Sequence, residues 1–274
     1  MGVALQGVGL IHPGGLAALE GLDLRIEAGE RVAIIGSSGA GKTTLLRLLA
    51  TGLMPTSGQL TLLGEAPTEL RAGALKHLRS RIGLIHQSPP LPPRQRVVTA
   101  VQAGRLGQWS LPRALLSLCY PLDIDGVEQA LAPLDLAEKL FNRCDQLSGG
   151  QLQRVGIARV LYQRAELVLA DEPVAAMDPI LADHTLALLN HLAAQRQVTL
   201  VASLHAVDLA LKHFPRVIGL RKGRLHFDCP AAQVTQSLLD SLYANDGLDS
   251  RPSDAMGSAI DVEATTPWAA QQCL

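Results

Sequence analysis

The segment Gly36-Ser37-Ser38-Gly39-Ala40-Gly41-Lys42-Thr43 constrains this chain more than any other, because it stands between an apolar run, Val32 to Ile35, and a helix-forming run, Thr44 to Ala50. Strand, glycine-rich loop and helix follow in the order that a phosphate cradle requires. Glycines at 36, 39 and 41 free the backbone for positive φ, which turns N–H groups onto phosphate oxygens at the positive end of the following helix. Lys42 then reaches the β- and γ-phosphates, and the Thr43 hydroxyl leaves the first helical turn where Mg2+ would sit beside them. Ser37, Ser38, Ala40 and Thr44 complete the candidate nucleotide-binding set. The bland alternative is a glycine-rich turn that only closes a strand.

A chain of 274 residues can bury a substantial core. Apolar residues make up 47% of it and aromatics only 3%, a Leu/Ala/Val-rich balance that fits α/β layers better than a sandwich or barrel. The 24 basic and 25 acidic side chains nearly cancel, which leaves no electrostatic footprint for nucleic acid. Cys119, Cys144, Cys229 and Cys273 show no paired spacing and suit a reducing cytoplasm. The start of the chain does not read as a signal peptide, and no apolar run reaches the length of an ordinary transmembrane helix.

In chain order, residues 3 to 29 predict two or three antiparallel strands around Pro13-Gly14-Gly15. His12 precedes that turn, where it either lies on an adenine ring or is an ordinary exposed turn residue. Strands are expected over Gln59 to Leu63 and Arg81 to His86, with a helix over 74 to 80 between them. Gln87 then hands over to Ser88-Pro-Pro-Leu-Pro-Pro93, whose four prolines enforce an extended, semi-rigid loop. Four helical segments follow: Val97 to Leu106, Leu111 to Tyr120, Gly126 to Pro133 and Leu136 to Leu140. Leu111 to Tyr120 is apolar on too many sides for a free surface helix, so it packs either on the core or on a partner.

Leu147-Ser148-Gly149-Gly150-Gln151 predicts a second anion-binding helix start, with Ser148 as cap and a helix from Leu152 to Gln163. Average composition would produce this pentapeptide in roughly four chains per ten thousand of this length. Glu166 to Asp171 reads as a buried parallel strand whose carboxyl end carries Asp171 and Glu172, where open α/β sheets bind ligands. Asp171 is the candidate for Mg2+, and Glu172 for polarising an attacking water. Ala175-Ala-Met-Asp178-Pro179 caps a helix from Ile180 to Arg196. Gln197 to Ala202 is a further strand, and it leads to Ser203-Leu-His205 at the same kind of sheet edge. His205 is a candidate γ-phosphate contact, against the ordinary reading of a structural histidine. A helix from Val207 to His213, a hairpin from Arg216 to Asp228 turning at Lys222-Gly223, and a helix from Ala231 to Leu242 complete the expected elements. The last 30 residues are sparse in large apolar side chains, and a flexible tail is expected there. Trp268 is its only large aromatic, and no role is assigned to it.

The order and spacing of Gly36 to Thr43, Gln87, Leu147 to Gln151, Leu167 to Glu172, Ala175 to Asp178 and His205 resemble the ATP-binding subunits of ABC transporters, from about residue 3 to residue 242. By that resemblance these stretches are the Walker A loop, Q-loop, signature motif, Walker B with its catalytic Glu, D-loop and H-loop. The implied fold is α/β: a P-loop NTPase core of mainly parallel sheet with helices, an antiparallel β subdomain and a helical insertion. The ATPase domain would span 1–242, with the insertion at about 88–160 and the flexible tail at 243–274.

The resemblance implies ATP and Mg2+ as cofactors, Glu172, His205 and Gln87 as catalytic residues, and Thr43, Gln87 and Asp171 at the metal. It also implies a head-to-tail pair of copies in which Ser148, Gly149, Gly150 and Gln151 meet the partner's nucleotide. The implied further partners are two membrane-spanning permease subunits and a solute-binding protein, with no nucleic acid. The implied location is peripheral, on the cytoplasmic face of the inner membrane. Arg96 to Gly107, Trp109, Ala170 to Pro179 and Ser203 to Ala210 look like phosphonate importers within the family. The alternatives are import of another solute (phosphate, phosphite or an amino acid), a soluble non-transport ABC ATPase, and a P-loop kinase that would leave the signature idle. Two departures from the family pattern stand out: His12 where an aromatic such as Tyr is usual, and Ala175 and Met177 where the D-loop often has Ser and Leu.

Overall fold

The computed structural model describes residues 2–244, with the backbone alone at 118 and 119. From residue 245 onward the expected flexible tail, with Trp268 and Cys273, lies outside the described residues. The amino-terminal strands β1 (Val3–Ile11) and β2 (Ala17–Ile26) form an antiparallel hairpin, and β4 (Ser57–Leu62) pairs with the free edge of β1 to give a three-stranded sheet in the order β2-β1-β4. A six-stranded sheet in the order β5-β6-β7-β3-β8-β9 forms the centre, from β3 (Arg31–Ile35), β5 (Ile82–Ile85), β6 (Leu167–Asp171), β7 (Thr199–Ser203), β8 (Arg216–Arg221) and β9 (Arg224–Pro230). Only β9 runs antiparallel, folding back on β8 through the turn at Lys222-Gly223.

Side-chain alternation along the central strands divides the core in two. Val32 and Ile34 of β3, with Leu167, Leu169, Val201 and Ile218, face the three-stranded sheet and α1 (Lys42–Leu49). Ala33 and Ile35, with Ala170, Leu200, Ala202 and Val217, face the helices instead. A period of two therefore buries both faces of each strand, which is why these runs read as unbroken apolar stretches in the sequence. The helices α3 (Val97–Gln102), α5 (Ile124–Leu131), α6 (Gly149–Gln163) and α7 (Pro179–Arg196) share one continuous apolar cluster with that second face, and α8 (Val207–His213) adds Ala210 to it.

Several boundaries differ from the sequence reading for local reasons. The helix expected to reach Leu106 ends at Gln102 and tightens into a 3-10 turn at Ala103–Arg105, where a Cβ on Gly104 would stand 2.4 Å from the Arg159 carbonyl. The Leu136 to Leu140 segment is only a 3-10 turn, Ala137–Lys139. The last helix, α9 (Gln236–Tyr243), begins later than Ala231 because Thr235 caps it by accepting the Leu238 N–H at 3.3 Å. Between β4 and β5, α2 (Ala72–Ser80) forms as expected.

The segment α4 (Leu111–Cys119) is turned outward: Leu111, Leu115, Leu116 and Tyr120 are exposed while Ser117 is buried, its hydroxyl donating to the Ala114 carbonyl. Its apolar character is thus not absorbed by this chain's own core. Pro89, in the loop after Gln87, lies against α6, where a Cβ on Gly156 would meet the proline ring at 2.8 Å.

Candidate functional site

The parallel register brings three strand ends to one level. Ile34 pairs with Ser203, and Asp171 pairs with Ser203, so the ends of β3, β6 and β7 open side by side at the carboxyl edge of the sheet. The loop after β3 is shaped by glycines that no other residue can replace cheaply. Gly36 has φ 151°, and a Cβ there would lie 2.1 Å from the Leu220 carbonyl; Gly41 has φ 102° and is hemmed in by the Ala18 carbonyl. Gly39 also has positive φ, and its missing Cβ would face open space. Ala40 is buried, whereas Ser38 and Gly39 are exposed at the loop's tip and Ser37 and Thr44 are half-buried.

Lys42 is 5% exposed, and its ammonium donates to the carbonyls of Gly36 at 2.6 Å and Ser37 at 2.9 Å. This holds the cation over the loop. Thr43 Oγ1 donates to Asp171 Oδ1 at 3.1 Å, which joins the first turn of α1 to the end of β6. A hydroxyl and a carboxylate at this spacing are the hard oxygen donors that Mg2+ accepts.

Beyond Asp171 the backbone bends sharply. Glu172 sits at φ 48°, left-handed for a residue with a Cβ, and its N–H donates to both the carbonyl and the hydroxyl of Ser203. The bend carries the Glu172 carboxylate to a junction of three elements. Gln87 Nε2 donates to its Oε2 at 2.7 Å, and His205 Nε2 lies 2.6 Å from its Oε1. The side chain of Glu172 is 11% exposed and that of His205 52%, so the carboxylate is sheltered and the imidazole reaches solvent. Gln87, Glu172 and His205, from three separate parts of the sequence, therefore meet.

Ser203 is the residue to which the sequence reading gives no role. Fully buried, it donates to Asp171 Oδ1 at 2.8 Å and accepts from Glu172 N at 3.1 Å, so one hydroxyl anchors both acids. The available signal is a hydroxyl ending an apolar strand two residues before a candidate histidine.

The second glycine motif stands apart from this cluster. Ser148 caps α6 by accepting from Gln151 N at 3.3 Å, and Gln151 Oε1 accepts from Ser148 N at 2.9 Å. The helix begins at Gly149, three residues earlier than the sequence reading places it. The Gln151 side chain is committed to this cap and occupies the Ser148 N–H, while Ser148 and Gly149 are themselves exposed. Gly150 faces the Ala176 carbonyl of the turn at Ala175 to Asp178. His12 is half-buried in the β1–β2 turn, its N–H bonded to the Leu16 carbonyl and its carbonyl to the Gly15 N–H. That turn leads into Ala18 and Leu19, which abut Gly41 of the phosphate loop.

Among the described residues no cluster of His, Cys, Asp or Glu forms a separate metal site, and no helix is long and apolar enough to cross a membrane.

Comparison with known proteins agrees with this geometry. Residues 19–175 match the ABC transporter family. The phosphonates import ATP-binding protein PhnC 1 of Pseudomonas aeruginosa is 65% identical over 94% of this chain and 96% of its own length. A phosphonates import ATP-binding protein of Pseudomonas putida is 64% identical over 95% and 96% of the two chains. Among solved structures, the dimeric ATP-binding cassette MJ0796 in a post-hydrolysis state bound to ADP and Pi matches with TM-score 0.73 and 28% identity, covering 84% of this chain and 98% of that one. The loop, the paired acids and the comparisons agree: this chain belongs to the ABC transporter family, as one of its ATP-hydrolysing proteins.

Proposed function

We propose that this protein powers a phosphonate importer, hydrolysing ATP between two copies of itself. The observation that carries the reading is the convergence of Gln87 and His205 on Glu172, directly beside the Thr43–Asp171 pair and the glycine loop. ATP phosphates fit the loop's N–H groups and Lys42. Thr43 and Asp171, with Gln87 close by, would hold Mg2+, which neutralises phosphate charge when bound. Glu172 then orients the attacking water, and its partners fix that role: Gln87 and His205 hold the two carboxylate oxygens in a set direction while His205 reaches toward the γ-phosphate. The Ser148-Gly149-Gly150 start of α6, exposed at its first two residues, is placed to meet the nucleotide of a second copy, as the dimeric structures among its relatives support. His12 is the candidate for the adenine ring.

In this reading residues 1–242 are the ATPase domain, the insertion at about 88–160 faces two membrane-spanning subunits, and a solute-binding protein supplies the phosphonate. The protein then works peripherally, on the cytoplasmic face of the inner membrane. The names of its relatives support phosphonate as the solute. Glu172→Gln tests the core of the proposal: hydrolysis is lost while binding of ATP is retained, and bound ATP holds two copies together in size-exclusion chromatography. Turnover at the parent rate would remove Glu172 from its assigned role.

A further inference from the structure

Gln87 leaves the sheet at a weakly supported point. β5 is an edge strand of the six-stranded sheet, its register with β6 ends at Ile85 opposite Ala170, and His86, Gln87 and Ser88 beyond it are exposed. A strand paired on one side alone frays more readily at its end than a central one. A side chain that presents its amide to a carboxylate at 2.7 Å nevertheless needs a fixed backbone beneath it.

That hold comes from α6. Gln153, 1% exposed, donates through Nε2 to the His86 carbonyl at 2.9 Å. This carbonyl belongs to the planar peptide unit shared with Gln87, so holding its oxygen fixes the plane from which Gln87 departs. At the other end of the strand Gln163, also on α6, donates to the Ser80 and Ile82 carbonyls at 3.2 and 2.9 Å. From Gln153 to Gln163 is about 15 Å of helix and from Ile82 to His86 about 13 Å of strand, so the two amides clasp β5 at both ends. Gly83 lets the helix lie this close, since a Cβ there would stand 2.6 Å from Val160 Cγ1.

The two clasps are not alike. Gln163 divides its amide between two carbonyls, whereas Gln153 makes one bond and leaves Oε1 buried without a partner. A buried acceptor without a donor opposes folding, and an apolar side chain of the same length would avoid that penalty. Packing therefore does not account for an amide at this position, and its bond to His86 does. The next residue, Arg154, donates to the Leu134 carbonyl at 2.6 Å, which anchors the same turn of α6 to the helical segment.

We propose that Gln153 is a positioning residue for ATP hydrolysis: by holding the His86 carbonyl it sets the direction in which Gln87 reaches the Glu172 carboxylate. It acts through Gln87, with no bond of its own to Glu172 among the described residues. The inference rests on the assignment of Gln87 and Glu172 to the hydrolytic site and adds the residue that aims them.

The test measures ATP turnover and equilibrium binding of an ATP analogue on the full chain, for the parent, Gln153→Met, Gln87→Ala, the double variant and Glu172→Gln. Gln153→Met keeps the side chain's length and removes both the donor and the orphaned acceptor. Since His86 is exposed, its carbonyl can turn to water, and the urea midpoint of Gln153→Met is expected to stay close to the parent's. Turnover is expected to fall about tenfold, short of the roughly hundredfold that a full ångström of misplacement can cost. KM for ATP and affinity for the analogue are expected to stay within about twofold of the parent's. Added to Gln87→Ala, the same substitution is expected to change turnover by less than about twofold, because the group it aims is gone. Parent turnover in folded Gln153→Met, a matching loss of analogue affinity, or a full further loss on top of Gln87→Ala would overturn the inference. Should Gln153→Met fail to fold by circular dichroism, Gln153→Leu takes its place; unfolding of both would also overturn it, since the bond would then be holding the fold. An inactive Glu172→Gln beside a fully active Gln153→Met sinks this inference alone. If Glu172→Gln itself turns over at the parent rate, the site assignment fails and the inference fails with it.

Discussion

Replacing Ser203 with Ala removes the one hydroxyl that both acids of the site share, and its cost follows from the contacts. Its bond to Asp171 Oδ1, at 2.8 Å, involves an ionised acceptor, for which about 1.5–3 kcal/mol is typical. The lower half of that range applies, because Asp171 is half-buried and keeps the Thr43 hydroxyl at 3.1 Å. The Glu172 N–H loses the hydroxyl at 3.1 Å and keeps the Ser203 carbonyl at 3.2 Å, so no buried donor is orphaned and roughly 0.5 kcal/mol is added. The sum is about 2–2.5 kcal/mol, a change of roughly 30-fold or more in the folding constant. With a urea dependence of about 3 kcal/mol/M, the unfolding midpoint falls by roughly 0.7 M. Equilibrium urea denaturation followed by circular dichroism reads this directly. ATP turnover on the same sample is expected to fall more than affinity for an ATP analogue, because the carboxylates lose their common anchor while the phosphate loop is untouched. A midpoint within about 0.2 M of the parent, with parent turnover, would refute the anchoring argument.

Lys42→Ala is expected to weaken equilibrium binding of an ATP analogue, because it removes the cation held over the loop; an unchanged dissociation constant would deny the loop its phosphate role. Ser148→Arg is expected to stop hydrolysis and leave ATP binding by the isolated chain nearly intact. A photoreactive ATP held by one copy should label the Ser148 region of a distinguishable second copy, and labelling confined to the same copy contradicts a shared site. Arg81 holds Glu166 bidentately at 2.7 and 3.0 Å, and that bonding keeps the Glu166 pKa below its ordinary value despite desolvation. A depressed carboxylate stabilises the fold above its unfolded pKa and loses that contribution as pH falls through the folded one. Arg81→Met should therefore be less stable by about 0.5–1 kcal/mol at pH 7, a small figure for a half-exposed pair, with the deficit shrinking below about pH 4.3. A deficit that stays constant from pH 7 to 3 would count against this assignment.

The phosphate loop was legible because its requirements are local: positive φ at glycine and a helix immediately after. The two acids were legible because an apolar strand ending in Asp171-Glu172 sets two charges at a buried edge, which costs free energy unless a ligand or a partner meets them. The junction around Glu172 was not written in any spacing, since Gln87 is 85 residues away and only the adjacency of β5, β6 and β7 brings it there. Ser203 escaped for a related reason. A serine at a strand end looks the same whether its hydroxyl meets water or two carboxylates. In α4 the composition showed an unusual helix but not which side faces inward, and among its described side chains Ser117 is buried while Leu111, Leu115 and Leu116 face out. The late start of α9 depended on the Thr235 cap, a side-chain choice that apolar periodicity does not register.

The seating of Pro89 on Gly156 has a mechanical consequence. A pyrrolidine ring pressed against bare helix backbone leaves no slack and no rotamer to absorb strain, so the loop and α6 behave as one linkage. Ser148 lies eight residues before Gly156, about 12 Å along a stiff helix. Gln87, two residues before Pro89, grips the Glu172 carboxylate at one end of that linkage, and the exposed Ser148 and Gly149 stand at the other. A shift of the carboxylate by a fraction of an ångström is thereby geared to the surface where a second copy would meet this one, and pressure on that surface is returned to the carboxylate by the same route.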